Sequence, residues 1–244
     1  MIYFFGKAVL LSSAIWLVVS GFYHNTNSVG MVQLFIVPQV NDLPLVLTQK
    51  GYATPGGDSI YIDVLRFYIS RVQLKNKNGA LFQEKDSYHL FDAEEDGHRI
   101  FTVDKVPVGT YDSLFFCVGT DSLTNISGVM GGDLDPLKGM YWTWNSGYIN
   151  IKLEGRSALC KTKTNRFEFH VGGYMPPNTT VRRVALPIKK VKIRANKSTN
   201  LPVIADLGRF FGAIQLSQIN LVMTPSPKAA RVADDFKKIF RTSE

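Results

Sequence analysis

Short segments dense in β-branched and aromatic residues return about every ten residues along this chain, with turn-forming residues between them. That rhythm restricts the fold more than any other feature. Residues 32–38, 60–74, 88–92, 99–103, 111–119, 166–171, 181–193 and 201–207 all read as strands, while 76–79 and 107–109 read as tight connections. The spacing is that of an all-β protein, an antiparallel β-sandwich, rather than of alternating βαβ units. Residues 225–244 differ. Ser226 is placed to cap a helix, Pro227 occupies its first position, and Val232, Phe236, Ile239 and Phe240 form one apolar stripe. This predicts a short amphipathic C-terminal helix docked on the domain.

The N-terminus has a different character. Lys7 precedes a run from Ala8 to Ser20 without a charge, the n-region and h-region of an export signal, with Ser20 and Gly21 as small residues near a cleavage site. Left uncleaved, the same segment is a short membrane anchor. Residues 1–30 are therefore read as signal or anchor, and 31–224 as one β-sandwich domain placed outside the cytoplasm, periplasmic or secreted.

The formal charge of +8 gives a basic bias without a nucleic-acid recognition element. The densest basic stretch, residues 182–194, interleaves its charges with Val184, Leu186, Ile188 and Ile193, the pattern of a strand with one solvated face. Nucleic acid is excluded as a partner on that pattern. Attraction to anionic headgroups or to an acidic protein fits it.

The aromatic stretch Gly139-Met-Tyr-Trp-Thr-Trp-Asn-Ser-Gly-Tyr148 is the most distinctive local feature. In an extended strand Trp142 and Trp144 project from the same face, and the glycines and Asn145 around them favour unusual backbone or close approach. From Gly147 onward Tyr148, Asn150, Lys152 and Glu154 alternate with Ile149, Ile151 and Leu153. In 166–171 the apolar face is Phe167, Phe169 and Val171, which leaves His170 on the polar face with Arg166 and Glu168.

Candidate ligands are few. His24, His89, His98 and His170 show no zinc-type spacing. Asp121, Asn125, Asp133 and Asp135 bring hard oxygen donors into one loop, the chemistry calcium takes, without EF-hand spacing. The same residue types shape loops through Asx turns. Export permits a disulfide between Cys117 and Cys160, and the two thiols are also soft-metal donors. No serine elbow, phosphate-binding loop or zincin helix occurs, so a binding or structural protein is expected rather than an enzyme.

Several of these segments together resemble one family. Tyr68-Ile-Ser70, Ser87-Tyr-His-Leu-Phe-Asp92, Val106-Pro-Val-Gly-Thr-Tyr111, Val118-Gly-Thr-Asp121 with Asn125, Leu134-Asp-Pro136, the aromatic stretch, Lys152-Leu-Glu-Gly155 and Phe169-His-Val-Gly-Gly173 are similar to the MbnP-like family. That family takes its name from periplasmic proteins associated with the copper chelator methanobactin, and the resemblance covers about residues 32–212. It implies a secreted or periplasmic β-sandwich. It further implies copper held by histidine and by a tryptophan oxidised to kynurenine, with a MauG-type dihaem peroxidase as partner. On this chain Trp142 and Trp144 match the motif tryptophans, His170 the motif histidine, and His89 the histidine of the Tyr-His-Leu segment. A structural or protein-interaction domain without metal is the alternative.

Overall fold

The computed structural model describes residues 28–54, 57–144 and 147–243. Residues 1–27, which hold most of the segment read as an export signal together with His24, lie outside the described residues, as do Asn145 and Ser146 of the aromatic stretch. The chain runs β1 (Val29–Val40), β2 (Leu43–Pro44), β3 (Gly51–Ala53), β4 (Ser59–Lys75), β5 (Leu81–Gln83), β6 (Tyr88–Asp92), β7 (Ile100–Pro107) and β8 (Gly109–Val118). There follow α1 (Ser122–Ile126), β9 (Tyr141–Trp142), β10 (Gly147–Ser157), β11 (Arg166–Gly172), β12 (Arg182–Ile193) and β13 (Ser198–Asp206). The chain closes with α2 (Leu207–Ala213), β14 (Leu221–Val222), α3 (Pro227–Phe236) and β15 (Phe240–Thr242).

Two sheets result. In the smaller, β15, β13 and β1 lie side by side, with β7 and β2 along the other edge of β1. In the larger, β4 is the spine. β10 and then β8 follow one of its edges, while β3, β6 and β5 pair with the other. β12 continues outward from β8, and β11 and β14 continue from β10. The all-β architecture with a short C-terminal helix matches the sequence pattern, but both sheets are mixed: β1 pairs with β13, and β11 with β14, in parallel.

Alternation explains the core. Leu34 and Ile36 of β1, Phe101 and Val103 of β7, Phe67 and Ile69 of β4, and Phe167 and Phe169 of β11 all point into one apolar interior between the sheets. The C-terminus helps to close it. The Phe67 ring lies 5.5 Å from those of both Phe236 and Phe240, joining the two sheets and α3. Fully burying each such ring stabilises by roughly 2–3 kcal/mol. The α3 helix begins as its sequence dictates, with Ser226 Oγ accepting from Ala229 N at 3.1 Å and Pro227 next in line. Ala229, Val232, Ala233 and Phe236 are buried, and Arg182 Nε meets Asp234 Oδ1 at 2.7 Å.

Candidate functional site

The outer face of the larger sheet, away from the main core, is covered by residues 119–142. Gly119 (φ +105°) turns the chain onto this face directly above Asn150; a methyl group there would stand 2.6 Å from Asn150 Cγ. Asn150 Oδ1 accepts from Thr120 N at 2.9 Å, and its Nδ2 donates to Thr180 Oγ1 at 2.9 Å. Tyr68, Leu90, Leu134, Met140, Trp142, Tyr148 and Ile149 form a second, smaller apolar cluster under this cap. Tyr68 OH donates to Asp133 O and Tyr148 OH to Leu134 O, each at 3.1 Å. Burial raises the pKa of both phenols, with Tyr148 adding to the rise at Tyr68.

The four oxygen donors of this loop shape the cap. Asp121 caps α1, accepting from Thr124 N at 2.9 Å, and also receives Arg71 Nη2 and Tyr88 OH, both at 3.0 Å. Partial burial opposes its charge. The hydrogen bonds from Thr124, Arg71 and Tyr88 outweigh burial and hold its carboxyl below the ordinary value. Asn125 Oδ1 accepts from Tyr148 N at 2.8 Å. Asp133 accepts from Leu90 N at 3.0 Å and pairs with Lys138 at 2.8 Å. Asp135 caps the 3-10 turn at Pro136–Lys138, accepting from Leu137 N at 2.9 Å. Through these contacts the four side chains tie the loop to itself and to the sheet.

The two tryptophans meet, though on a shorter strand than the alternation predicts. β9 ends at Trp142, and Trp144 belongs to the turn after it. Their ring centroids are 5.6 Å apart at 44°. Their environments differ sharply: Trp142 is 5% exposed and Trp144 is 63% exposed. The Trp142 ring packs against Gly172, where a Cβ would stand 2.5 Å from its Cζ3, so the glycine after the Phe-His-Val segment is the seat of the indole. Beside it, Trp142, Tyr148, Tyr174, Met175, Pro176 and Pro225 give a cleft of about 340 Å³ a largely aromatic and apolar wall.

His170 projects from the outer face, as its phase predicts, opposite Lys152 of β10, which in turn lies opposite Arg66 of β4. Its Nε2 is 2.7 Å from Glu154 Oε1. The same carboxylate lies 3.7 Å from Lys152 Nζ and 3.6 Å from Arg166 Nη2. His89 pairs with Ile69, a main-core residue, and stacks on Phe101 at 5.0 Å; its Nε2 is 3.0 Å from Glu84 Oε2. Ile69 and Arg66 are three residues apart on one uninterrupted stretch of β4, so His89 and His170 lie on opposite faces of the larger sheet. His98 falls in the 3-10 turn Asp96–Arg99 before β7.

Copper, implied by the resemblance, finds no ready-made ligand set in these side chains. Among the described residues no group of three or more His, Cys, Asp or Glu side chains converges. The His170–Glu154 pair offers two donors, and Lys152 and Arg166 already neutralise the carboxylate. Glu154 and Glu84 were absent from the ligand set carried over by resemblance. The signal for Glu154 was present, since the alternation puts both it and His170 on the polar faces of their strands.

The disulfide that export would permit is not formed: Cys117 and Cys160 are both free thiols. Cys117 pairs with Ser70 on the outer face, while Cys160 is buried in the main core, so the sheet separates them. Burial pushes the Cys160 thiol up to about 11 and raises that of Cys117 as well.

Two mixed sheets over one core, with a loop cap that builds an aromatic cleft on the outer face, define an all-β protein whose distinctive features lie in the cap. The chain belongs to the MbnP family, whose model matches residues 29–225. Among solved structures it is similar in fold to MbnP from Methylosinus trichosporium, with a TM-score of 0.53 and 17% identity, covering 80% of this chain and 82% of that one. A search of curated proteins finds no matching sequence.

Proposed function

We propose that this chain is an extracytoplasmic, non-catalytic copper-handling protein that becomes competent when Trp144 is converted to kynurenine, with His170 as the imidazole donor. The observation that carries this reading is the tryptophan pair. A ring that is 63% exposed stands 5.6 Å from a buried one at the mouth of an aromatic cleft. A macromolecular oxidant reaches Trp144, whereas Trp142 is shielded against Gly172. Four electrons pass from the indole to two equivalents of hydrogen peroxide through a dihaem peroxidase of the MauG type. The C2–C3 bond breaks to give N-formylkynurenine, and hydrolysis releases formate and leaves an arylamine. An indole nitrogen donates a proton but holds no free lone pair, whereas the arylamine and its ketone are ligands. Copper is cargo here. The unmodified chain, with two crowded donors, is the weakly binding form.

Peptide mass spectrometry over residues 139–155, on protein coexpressed with its peroxidase, tests the conversion, and copper titration before and after it tests the consequence. Replacement of one ring carbon by one oxygen at Trp144, with a gain in copper affinity that His170→Ala removes, supports the proposal. Two intact indoles after exposure to the active peroxidase overturn it. The scarcity of converging ligands favours a second reading, a protein-interaction domain using the exposed Trp144 and Met175. It predicts the same weak copper uptake in wild type and His170→Ala.

A further inference from the structure

We infer that the end of the domain where the chain emerges from residue 28 is a basic platform that rests on an anionic phospholipid surface. Three segments meet there. Asn196 N donates to Val29 O at 2.9 Å, Met31 N to Lys197 O at 3.0 Å, and Val108 N to Ser28 O at 2.9 Å. The β12–β13 hairpin and the β7–β8 turn thus flank the start of β1. The β4–β5 turn joins them, since Lys77 and Lys190 line one shallow cleft with Gly109, Thr110 and Asp112.

Charge is concentrated at this end. Residues 75–79, 104–112 and 189–197 carry Lys75, Lys77, Lys105, Lys189, Lys190, Lys192, Arg194 and Lys197 against two acids, Asp104 and Asp112. All eight cations are exposed. Among the described residues none of the eight takes part in an ion pair, unlike the arginines of the outer face. Val108, at 47% exposure, stands apolar among them beside Ser28. Unpaired cations around an exposed aliphatic tip suit a headgroup layer, where charge stays in water and the tip enters the interface. The sequence before residue 28 favours lipid over an acidic protein: the uncharged run of residues 8–20 leads into this end of the domain.

The platform and the cap lie at opposite ends of the same strands. β12 runs from Arg194's hairpin back to Arg182, and β8 from Gly109 to Val118, beside the cap. At about 3.3 Å per residue these strands separate the cap from the platform by roughly 30 Å.

The test is cosedimentation of the full chain with neutral phosphatidylcholine vesicles and with vesicles containing about 30% phosphatidylglycerol, at about 0.1 M salt. The uncharged N-terminal run contributes alike to both, so the ratio of the two partition coefficients isolates the platform. Wild type should prefer the anionic vesicles by on the order of a hundredfold. Lys189→Glu/Lys190→Glu/Lys192→Glu/Arg194→Glu should lose that preference while keeping its circular dichroism. Lys161→Glu/Lys163→Glu, in the exposed turn after β10, should keep it. Equal partitioning of wild type into both vesicles, or a preference surviving in the quadruple variant, overturns the proposal and leaves the platform to an acidic protein.

Discussion

His89 and His170 are separated by the sheet they both belong to, one stacked on Phe101 in the main core and the other paired with Glu154 on the outer face. No single ion reaches both. In a double-mutant cycle of His89→Ala and His170→Ala, followed by urea unfolding with and without Cu(II), the coupling should stay below about 0.5 kcal/mol. His89→Ala alone should cost about 1–2 kcal/mol through lost stacking and an orphaned Glu84. A copper-dependent coupling well above that limit would place both rings on one ion.

Gly172→Ala should destabilise by about 1–3 kcal/mol and expose the indole of Trp142, because the new methyl would meet Cζ3 at 2.5 Å and Tyr148 O at 2.7 Å. Gly131→Ala, which meets nothing within 4 Å, is the control and should shift stability by less than about 0.5 kcal/mol. Tryptophan emission and urea midpoints read both effects. A Gly172 variant as stable as wild type would show that Trp142 does not depend on this seat.

Thiol titration of denatured, never-reduced protein should find both cysteines free. In the native state Cys160 should resist alkylation up to about pH 11, the range to which burial raises it, while half-buried Cys117 reacts first. Recovery of no thiols would mean that the sheet separating them had rearranged.

Asp121 makes stability acid-sensitive in a defined sense. Its carboxyl is held below its ordinary value, so its stabilising contribution is complete above about pH 4 and is lost as pH falls through the depressed folded value. Asp121→Asn keeps a cap oxygen but not the charge. The stability gap between wild type and variant should therefore be present at neutral pH and shrink below about pH 4. A gap that grows on acidification would contradict the assigned hydrogen bonds.

The strands were legible because their periods are local. The alternation at 148–154 and 166–171 fixes the faces of β10 and β11, and Ser226 with Pro227 marks the start of α3. The α2 helix is hidden in the sequence although Asp206 caps it and Leu207, Phe210 and Phe211 recur at helical spacing, because the strand pattern of 201–207 runs straight into it. The parallel pairings were illegible because nothing local encodes a partner far along the chain. At the site, the phase of His170 was readable, but its pairing with Glu154 depended on register. That Trp142 is buried and Trp144 exposed depended on where β9 stops, and the residues that stop it, a turn after two strand positions, carry no periodic signal.

The parallel ladder between β1 and β13 sets the order in which the molecule is completed. Asn41 N meets Asp206 Oδ1 at 2.9 Å across a separation of 165 positions, at the end of a nine-rung alignment that begins with Met31 and Ser198. A chain synthesised from its amino end delivers β1 first and must hold that edge open until almost the whole polypeptide has emerged. Closure is therefore a late, long-range event, of the kind that makes β-rich domains fold in milliseconds to seconds. A product cut short after β12 would present the unpaired edge of β1 to its neighbours, so the carboxyl-terminal fifth of the chain guards the nascent protein against self-association.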